Sequence, residues 1–195
     1  MNSKSVSLEL LESRIEQVRE SFVSSINELN RTEFVAMVES VSAAIKSGNT
    51  IAFAGNGGSA AEAMHIAAEF TGKCVKPHDP WPVLCLNESQ SALTAIGNDY
   101  GFDQVFSRMV IAHLKAGDIL FLLSTSGTSE NILKAIDTAS KLKIQTYLWT
   151  GLTCPLEEDS LLRIMKASTT QTPRVQEIHL IWGHLLAELV EELNA

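Results

Sequence analysis

Five short apolar runs, each separated from the next by a stretch with helical spacing, constrain this chain more than any other feature. The runs are 50–54 (Thr50-Ile51-Ala52-Phe53-Ala54), 83–87, 118–123, 144–149 and 162–166. Helices are expected over 59–71, 90–96, 102–115, 129–142 and 172–193, the last opened by Thr172-Pro173 as cap and first position. Strands that are apolar throughout need cover on both faces, and intervening helices supply it. The pattern predicts an α/β fold, a three-layer, doubly wound, five-stranded parallel sheet. Ahead of it, Leu11, Ile15, Val18, Phe22, Ile26 and Leu29 space out a helix from about Leu8 to Asn30. A second helix is expected from an N-cap at Thr32 to near Gly48. With 195 residues and no linker or low-complexity tract, one domain is expected: a helical region over 1–48 and an α/β core over 49–195.

Two of the strand-to-helix junctions stand out. The first strand leads into Gly55-Asn56-Gly57-Gly58-Ser59, and the third into Ser124-Thr125-Ser126-Gly127-Thr128-Ser129. In a flavodoxin-like strand order, 2-1-3-4-5, these strands are neighbours at the topological switch point, where ligands bind. Glycines there let backbone N–H groups approach an anion, and a helix N-terminus adds partial positive charge. The glycine loop alone is compatible with a plain tight turn. It lacks the Lys-Ser/Thr of a Walker loop and the full spacing and acidic partner of a dinucleotide site. The hydroxyl loop offers five side-chain hydroxyls where helix capping needs one, which favours a phosphate monoester.

Composition narrows the partners. A net charge of −8 argues against nucleic acid, whose phosphates call for clustered Lys and Arg. No apolar run of about 18 residues and no basic-then-apolar leader is seen, so neither a membrane span nor export is expected and the cytoplasm is the expected compartment. Cys74, Cys85 and Cys154 are odd in number and lack CxxC spacing, which suits reduced thiols.

His65 and Glu69 lie four apart on the helix rooted in the glycine loop, so they share one face and one crevice. The alternative is a core histidine beside a boundary glutamate; Glu62 reads as surface charge. The last helix carries Gln176, His179 and His184, either as part of a site or as polar positions on a packing helix. His78 and His113 read as structural or exposed. Thr94 to Asp103, with Asn98 and Asp99 between glycines, reads as a turn joining two helices.

Together these motifs resemble the sugar isomerase (SIS) domain family, and within it the phosphoheptose isomerases. The resemblance spans nearly the whole chain. It rests on Gly55 to Ala61, His65 to Glu69, Thr94 to Phe102, Ser124 to Gly127, Thr150-Gly151, and Arg174 to His179 with His184. It implies an aldose–ketose isomerase converting D-sedoheptulose 7-phosphate to D-glycero-D-manno-heptose 7-phosphate through an enediolate, the first step of nucleotide-activated heptose synthesis. By resemblance, Glu69 is the base and His184 its acid/base partner. Zn2+ is implied on His65, Glu69, Gln176 and His184, one ion per active site. Asn56, Gly57, Gly58, Glu69, Asn98, Asp99, Ser124, Thr125, Ser126, Ser129 and Gln176 are implied as sugar-phosphate contacts. A homotetramer is implied, with active sites at subunit interfaces and residues 1–48 serving oligomerisation.

Glu69 cannot be a tight ligand and a free base throughout one cycle, so its carboxylate is expected to change roles when substrate binds. Gln176 and His184, eight apart on one helix, are separated by roughly 12 Å along its axis, whereas zinc–ligand bonds are about 2 Å. The implied ligand set therefore needs two subunits. Departures from the family pattern are Thr128 for Asn, Lys73 for Arg, the loop Leu86-Asn87-Glu88-Ser89-Gln90, and Leu152-Thr153-Cys154 for an Asp-Gly-Gly stretch. They bear on which sugar phosphate is bound. The competing readings are an isomerase of another sugar phosphate and a non-catalytic SIS sensor or scaffold.

Overall fold

The computed structural model describes residues 6–194. The parts of the expected single unit, and of the expected lack of a leader, that fall on 1–5 and 195 lie outside the described residues. Five strands, β1 (Ile51–Gly55), β2 (Val83–Cys85), β3 (Ile119–Ser124), β4 (Gln145–Gly151) and β5 (Leu162–Ala167), form one sheet in the order β2-β1-β3-β4-β5. Every pairing is parallel, with Phe53 beside Phe121 and Phe121 beside Tyr147. This is the expected order and fold.

Alternation along the strands splits the interior into two cores. Ile51, Phe53, Phe121, Leu123 and Trp149 face α2 (Arg31–Lys46), α3 (Gly58–Thr71) and α7 (Thr172–Asn194). Ala52, Ala54, Leu120, Leu122 and Leu148 face α4 (Gln90–Tyr100), α5 (Val105–His113) and α6 (Glu130–Lys141). The small residues of β1 on this second face leave room for Phe106 and Leu86, both fully buried.

Three boundaries differ from expectation. α2 starts at Arg31 because the Asn30 side chain accepts a hydrogen bond from Glu33 N at 3.3 Å, which places Thr32 inside the first turn. α4 runs through Asn98 and Asp99, which stand on its last turn rather than in a loop; the stop comes at Gly101, whose φ of +97° suits glycine. The expected helix over 102–115 is a 3-10 turn, Phe102–Gln104, followed by α5. The first helix, α1, spans Leu8–Asn27, and its apolar stripe is exposed: Leu11 at 50%, Ile15 at 57% and Phe22 at 43%. The three cysteines are unpaired, and Cys85 and Cys154 are buried. Among the described residues no helix is long and apolar enough to cross a membrane.

One buried carboxylate ties the end of α7 to the segment leaving α3. Glu191, 1% exposed, accepts hydrogen bonds from Cys74 N at 2.7 Å, from Val75 N at 3.0 Å and from Lys76 N at 2.8 Å. His78 Nε2 stands 3.5 Å away, and its ring stacks on Trp81, so His78 is structural as expected. Burial alone would raise the Glu191 pKa, but the three amides and His78 together hold it below the ordinary carboxylate value. Glu191→Ala orphans three amides and is expected to cost about 3 kcal/mol or more, read as a lower urea midpoint. Because the folded carboxylate titrates below its unfolded value, the stability it contributes is present above about pH 4.5 and is lost as pH falls through the folded value. Glu191→Gln should flatten that acid limb.

Candidate active site

α3 and α7 run side by side in the same direction. Three pairings mark the register: Gln176 with Ser59, Gly183 with Ile66, and Glu191 with Cys74. At the middle pairing a Cβ on Gly183 would lie 2.5 Å from two carbons of the Ile66 side chain. Only glycine lets the helices approach this closely, and the residue after it is His184.

The approach brings His65, Glu69 and His184 to one point. Their ligand atoms all lie within 4.8 Å of one another. His65 Nε2 is 2.9 Å from His184 Nε2 and 3.3 Å from Glu69 Oε1, and the two rings meet edge-on at 84°. The His65 side chain is 47% exposed and that of Glu69 18%, so the cluster opens to solvent on one side. Ligand atoms of a tetrahedral zinc with bonds of about 2.0–2.2 Å lie roughly 3.3–3.5 Å apart. Two nitrogens and a carboxylate oxygen are a donor set that suits such an ion; the 3.3 Å from His65 to Glu69 matches its spacing, and the 2.9 Å between the imidazoles is shorter than it.

Gln176 is not in this cluster. Its amide packs on the first turn of α3, with Nε2 3.4 Å from Ser59 Oγ and 2.5 Å from where a Gly58 Cβ would stand. The eight residues to His184 put it about 12 Å away along α7. Within one chain the expected four-residue set is therefore three residues. Glu62 differs from expectation more sharply. It is half-buried, and one carboxylate oxygen has no partner. Burial raises its pKa to about 7, against a smaller lowering by the Ser59 hydroxyl.

The glycine loop and the hydroxyl loop leave adjacent strands, β1 and β3, as the switch-point argument requires. Gly57 has φ +58° and Gly127 φ +68°. Ser124 Oγ accepts from Gly127 N at 3.2 Å, and Ser126 Oγ from Thr128 N at 3.2 Å, closing the loop on itself. Ser129 stands at the N-cap of α6 but spends no side-chain hydrogen bond there, so its hydroxyl is not consumed by capping. Cys154 packs directly beneath Gly127, filling the place a side chain would take. A cleft of about 530 Å3 opens between the loops, lined by Asn56, Phe102, Asp103, Ser129, Glu130 and Asn131. That volume suits a small ligand. Asn98 and Asp99 are exposed and hydrogen-bonded to each other at 2.7 Å, outside the lining of this cleft.

Sequence reasoning missed Gly183 and Asn131. A glycine inside a periodic helix, in Trp182-Gly183-His184, was the available signal for the first. A buried Asn two residues past the hydroxyl loop was the signal for the second. Gly183→Val should push α3 and α7 apart and cut turnover that depends on the His65–Glu69–His184 cluster at least 100-fold while far-UV circular dichroism stays helical. For Glu62, the sign is opposite to that of Glu191: its raised pKa makes the stability it contributes full below about pH 4.5 and lost as pH rises through about 7. Glu62→Gln should therefore remove a decline in melting temperature between about pH 5 and 7.

Known proteins agree with this architecture. The family model for the SIS domain matches residues 15–151. A phosphoheptose isomerase of Rhodospirillum rubrum is 45% identical over 152 residues, covering 78% of this chain and 81% of the relative. A phosphoheptose isomerase of Nitratiruptor is 39% identical over 185 residues, covering 95% and 98%. The structure of a phosphoheptose isomerase from Francisella tularensis superposes with a TM-score of 0.90 at 26% identity, covering 96% of this chain and all of that one. The chain thus belongs to the SIS domain family, among the phosphoheptose isomerases, which are aldose–ketose isomerases.

Proposed function

We propose that this chain interconverts D-sedoheptulose 7-phosphate and D-glycero-D-manno-heptose 7-phosphate at the His65–Glu69–His184 cluster, as the entry to nucleotide-activated heptose. The observation that carries the reading is the convergence of a carboxylate and two imidazoles where α3, the helix that leaves the glycine loop, meets α7. The cleft between the glycine and hydroxyl loops has the size for a sugar phosphate and is lined by Asn56 and Ser129; under this reading Ser124, Thr125 and Ser126 join Ser129 in holding the phosphate, and Gly57 and Gly58 join Asn56 along the sugar.

The chemistry moves one proton between adjacent carbons. Glu69 takes a proton from C1 of the ketose, a C1=C2 double bond forms, and O2 gains a proton from His184. In the second half the O1 proton passes to His184, C2 recovers a proton from Glu69, and C1 becomes the aldehyde carbon. One carboxylate and one imidazole at a shared point suffice for both halves. Zn2+ held by His65, Glu69 and His184 would supply positive charge beside the oxygen that becomes negative. The donor set, two imidazoles and a carboxylate, suits that ion. With the ion bound, Glu69 would be a ligand of the resting site and the proton acceptor once substrate is present.

Gln176 completes the implied ligand set only from a second copy of the chain, because its own helix carries it away from His184. The bare apolar stripe on α1 supports the same reading, since a single chain leaves it in water. We therefore place the active sites at the interfaces of a homotetramer, with Asn98 and Asp99 reaching a neighbour's substrate from the exposed end of α4. The working compartment under this reading is the cytoplasm.

The test is incubation with sedoheptulose 7-phosphate in deuterium oxide, with and without a chelator, followed by NMR. Aldose formation with deuterium entering beside the carbonyl, abolished by chelation and restored by zinc, is the expected result. Neither aldose nor exchange would sink the reading, and turnover of other sugar phosphates alone would move it to another substrate. Glu69→Gln should lower kcat at least 1,000-fold without changing the melting temperature by more than a few degrees. A dilution series or interface variant that yields monomers should lose activity and zinc together.

A further inference from the structure

Gly55 and Asn56, the last residue of β1 and the first beyond it, are gripped by side-chain amides from the segments that follow both neighbouring strands. On one side Asn87, two residues past β2, accepts from Gly55 N at 3.1 Å and donates to Gly55 O at 2.9 Å. It thereby continues the parallel ladder after β2 has ended at Cys85. On the other side Asn131, in the first turn of α6 and 3% exposed, forms a reciprocal amide pair with Asn56. Asn56 Nδ2 donates to Asn131 Oδ1, and Asn131 Nδ2 donates to Asn56 Oδ1, both at 2.8 Å.

Neither partner is needed where it stands for secondary structure. Asn131 lies beyond the N-cap of α6, and the ladder of β2 is complete without Asn87. What both fix is the path of the chain entering Gly57 and Gly58. Asn56 O in turn accepts from Ser59 N at 3.0 Å and so starts α3, the helix that carries His65 and Glu69. Asn87 also falls in a loop that departs from the family pattern, and this contact gives that departure a task.

We propose that Asn87 and Asn131 are positioning residues that hold the glycine loop, and with it the sugar-facing wall of the cleft, from the segments that follow the two flanking strands. The reciprocal pair leaves Asn56 with one N–H and spare lone pairs in a fixed orientation toward the cleft. An amide clamped at both its donor and its acceptor cannot swing, so substrate meets a wall already in place.

The proposal rests on the isomerase reading for its kinetic arm only. Asn131→Asp keeps the shape but, when ionised, faces Asn56 Oδ1 with a second acceptor. When protonated it restores one donor and one acceptor. At pH 8 the variant should show a KM for sedoheptulose 7-phosphate raised about tenfold with kcat within threefold of the parent. The KM ratio to the parent should fall toward one as pH is lowered to about 5. The parent measured at each pH accounts for Asp103, Glu130 and Lys134, the charged groups along the same crevice. An unchanged KM, or a loss that ignores pH, overturns the proposal.

A second arm needs no turnover: amide hydrogen exchange over residues 57–61 should quicken in Asn131→Asp at pH 8 with an unchanged melting temperature. Unaltered exchange there overturns the clamp even if the parent is an isomerase. Faster exchange in a parent that does not isomerise the sugar supports the clamp and refutes only the substrate. Asn87→Asp, read the same way, serves if Asn131→Asp fails to fold.

Discussion

The close parallel contact of α3 with α7 at Gly183 is the constraint on which the site depends. Packed helices ordinarily stand 8–10 Å apart, set by the side chains between them. Removing one side chain at the crossing lets Ile66 fill the gap and brings His184 within hydrogen-bond distance of His65. About a hundred residues of chain, with β2 to β5, separate the two helices, so the cluster forms only when the strands that return α7 to the same face of the sheet are in place. Chemistry and fold are thus coupled through a single missing Cβ.

The sheet does the rest of the positioning. Because β1 and β3 are neighbours, the glycine loop and the hydroxyl loop face each other although more than sixty residues separate them. Their walls are stiffened by short polar contacts: Ser124 and Ser126 inside one loop, and Asn87 and Asn131 against the other. Cys154 beneath Gly127 closes the packing under the hydroxyl loop.

Much of this was legible in the residues. Apolar strands and helical spacing gave the layers, because burial on both faces leaves few alternatives, while the strand order came from the likeness to flavodoxin-like folds and agrees with the sheet. The i, i+4 relation of His65 and Glu69 put them on one face of one helix, and helical rise alone separated Gln176 from His184. What escaped was the relation between distant elements. Glu62 looked like surface charge because nothing local reveals which face of α3 a neighbouring helix covers. Asn98 and Asp99 looked like a turn because Gly97 and Asn98 are poor helix formers, yet the helix continues until Gly101 forces it to stop. The partner of Asn131 lies on another loop 75 residues away, a distance no local pattern spans.

The pairing of α3 with α7 is also fixed at both ends, by Gln176 on Ser59 at the start and by the Glu191 carboxylate on Cys74 to Lys76 at the finish. A pair of rods pinned at two points can neither slide nor pivot against each other. The side chains these helices carry therefore move as one body, and because Asn87 and Asn131 tie the glycine loop to its neighbours, that loop moves with them. A ligand reaching the cleft meets walls whose shape precedes its arrival, so discrimination rests on fit to a standing contour rather than on closure around the guest.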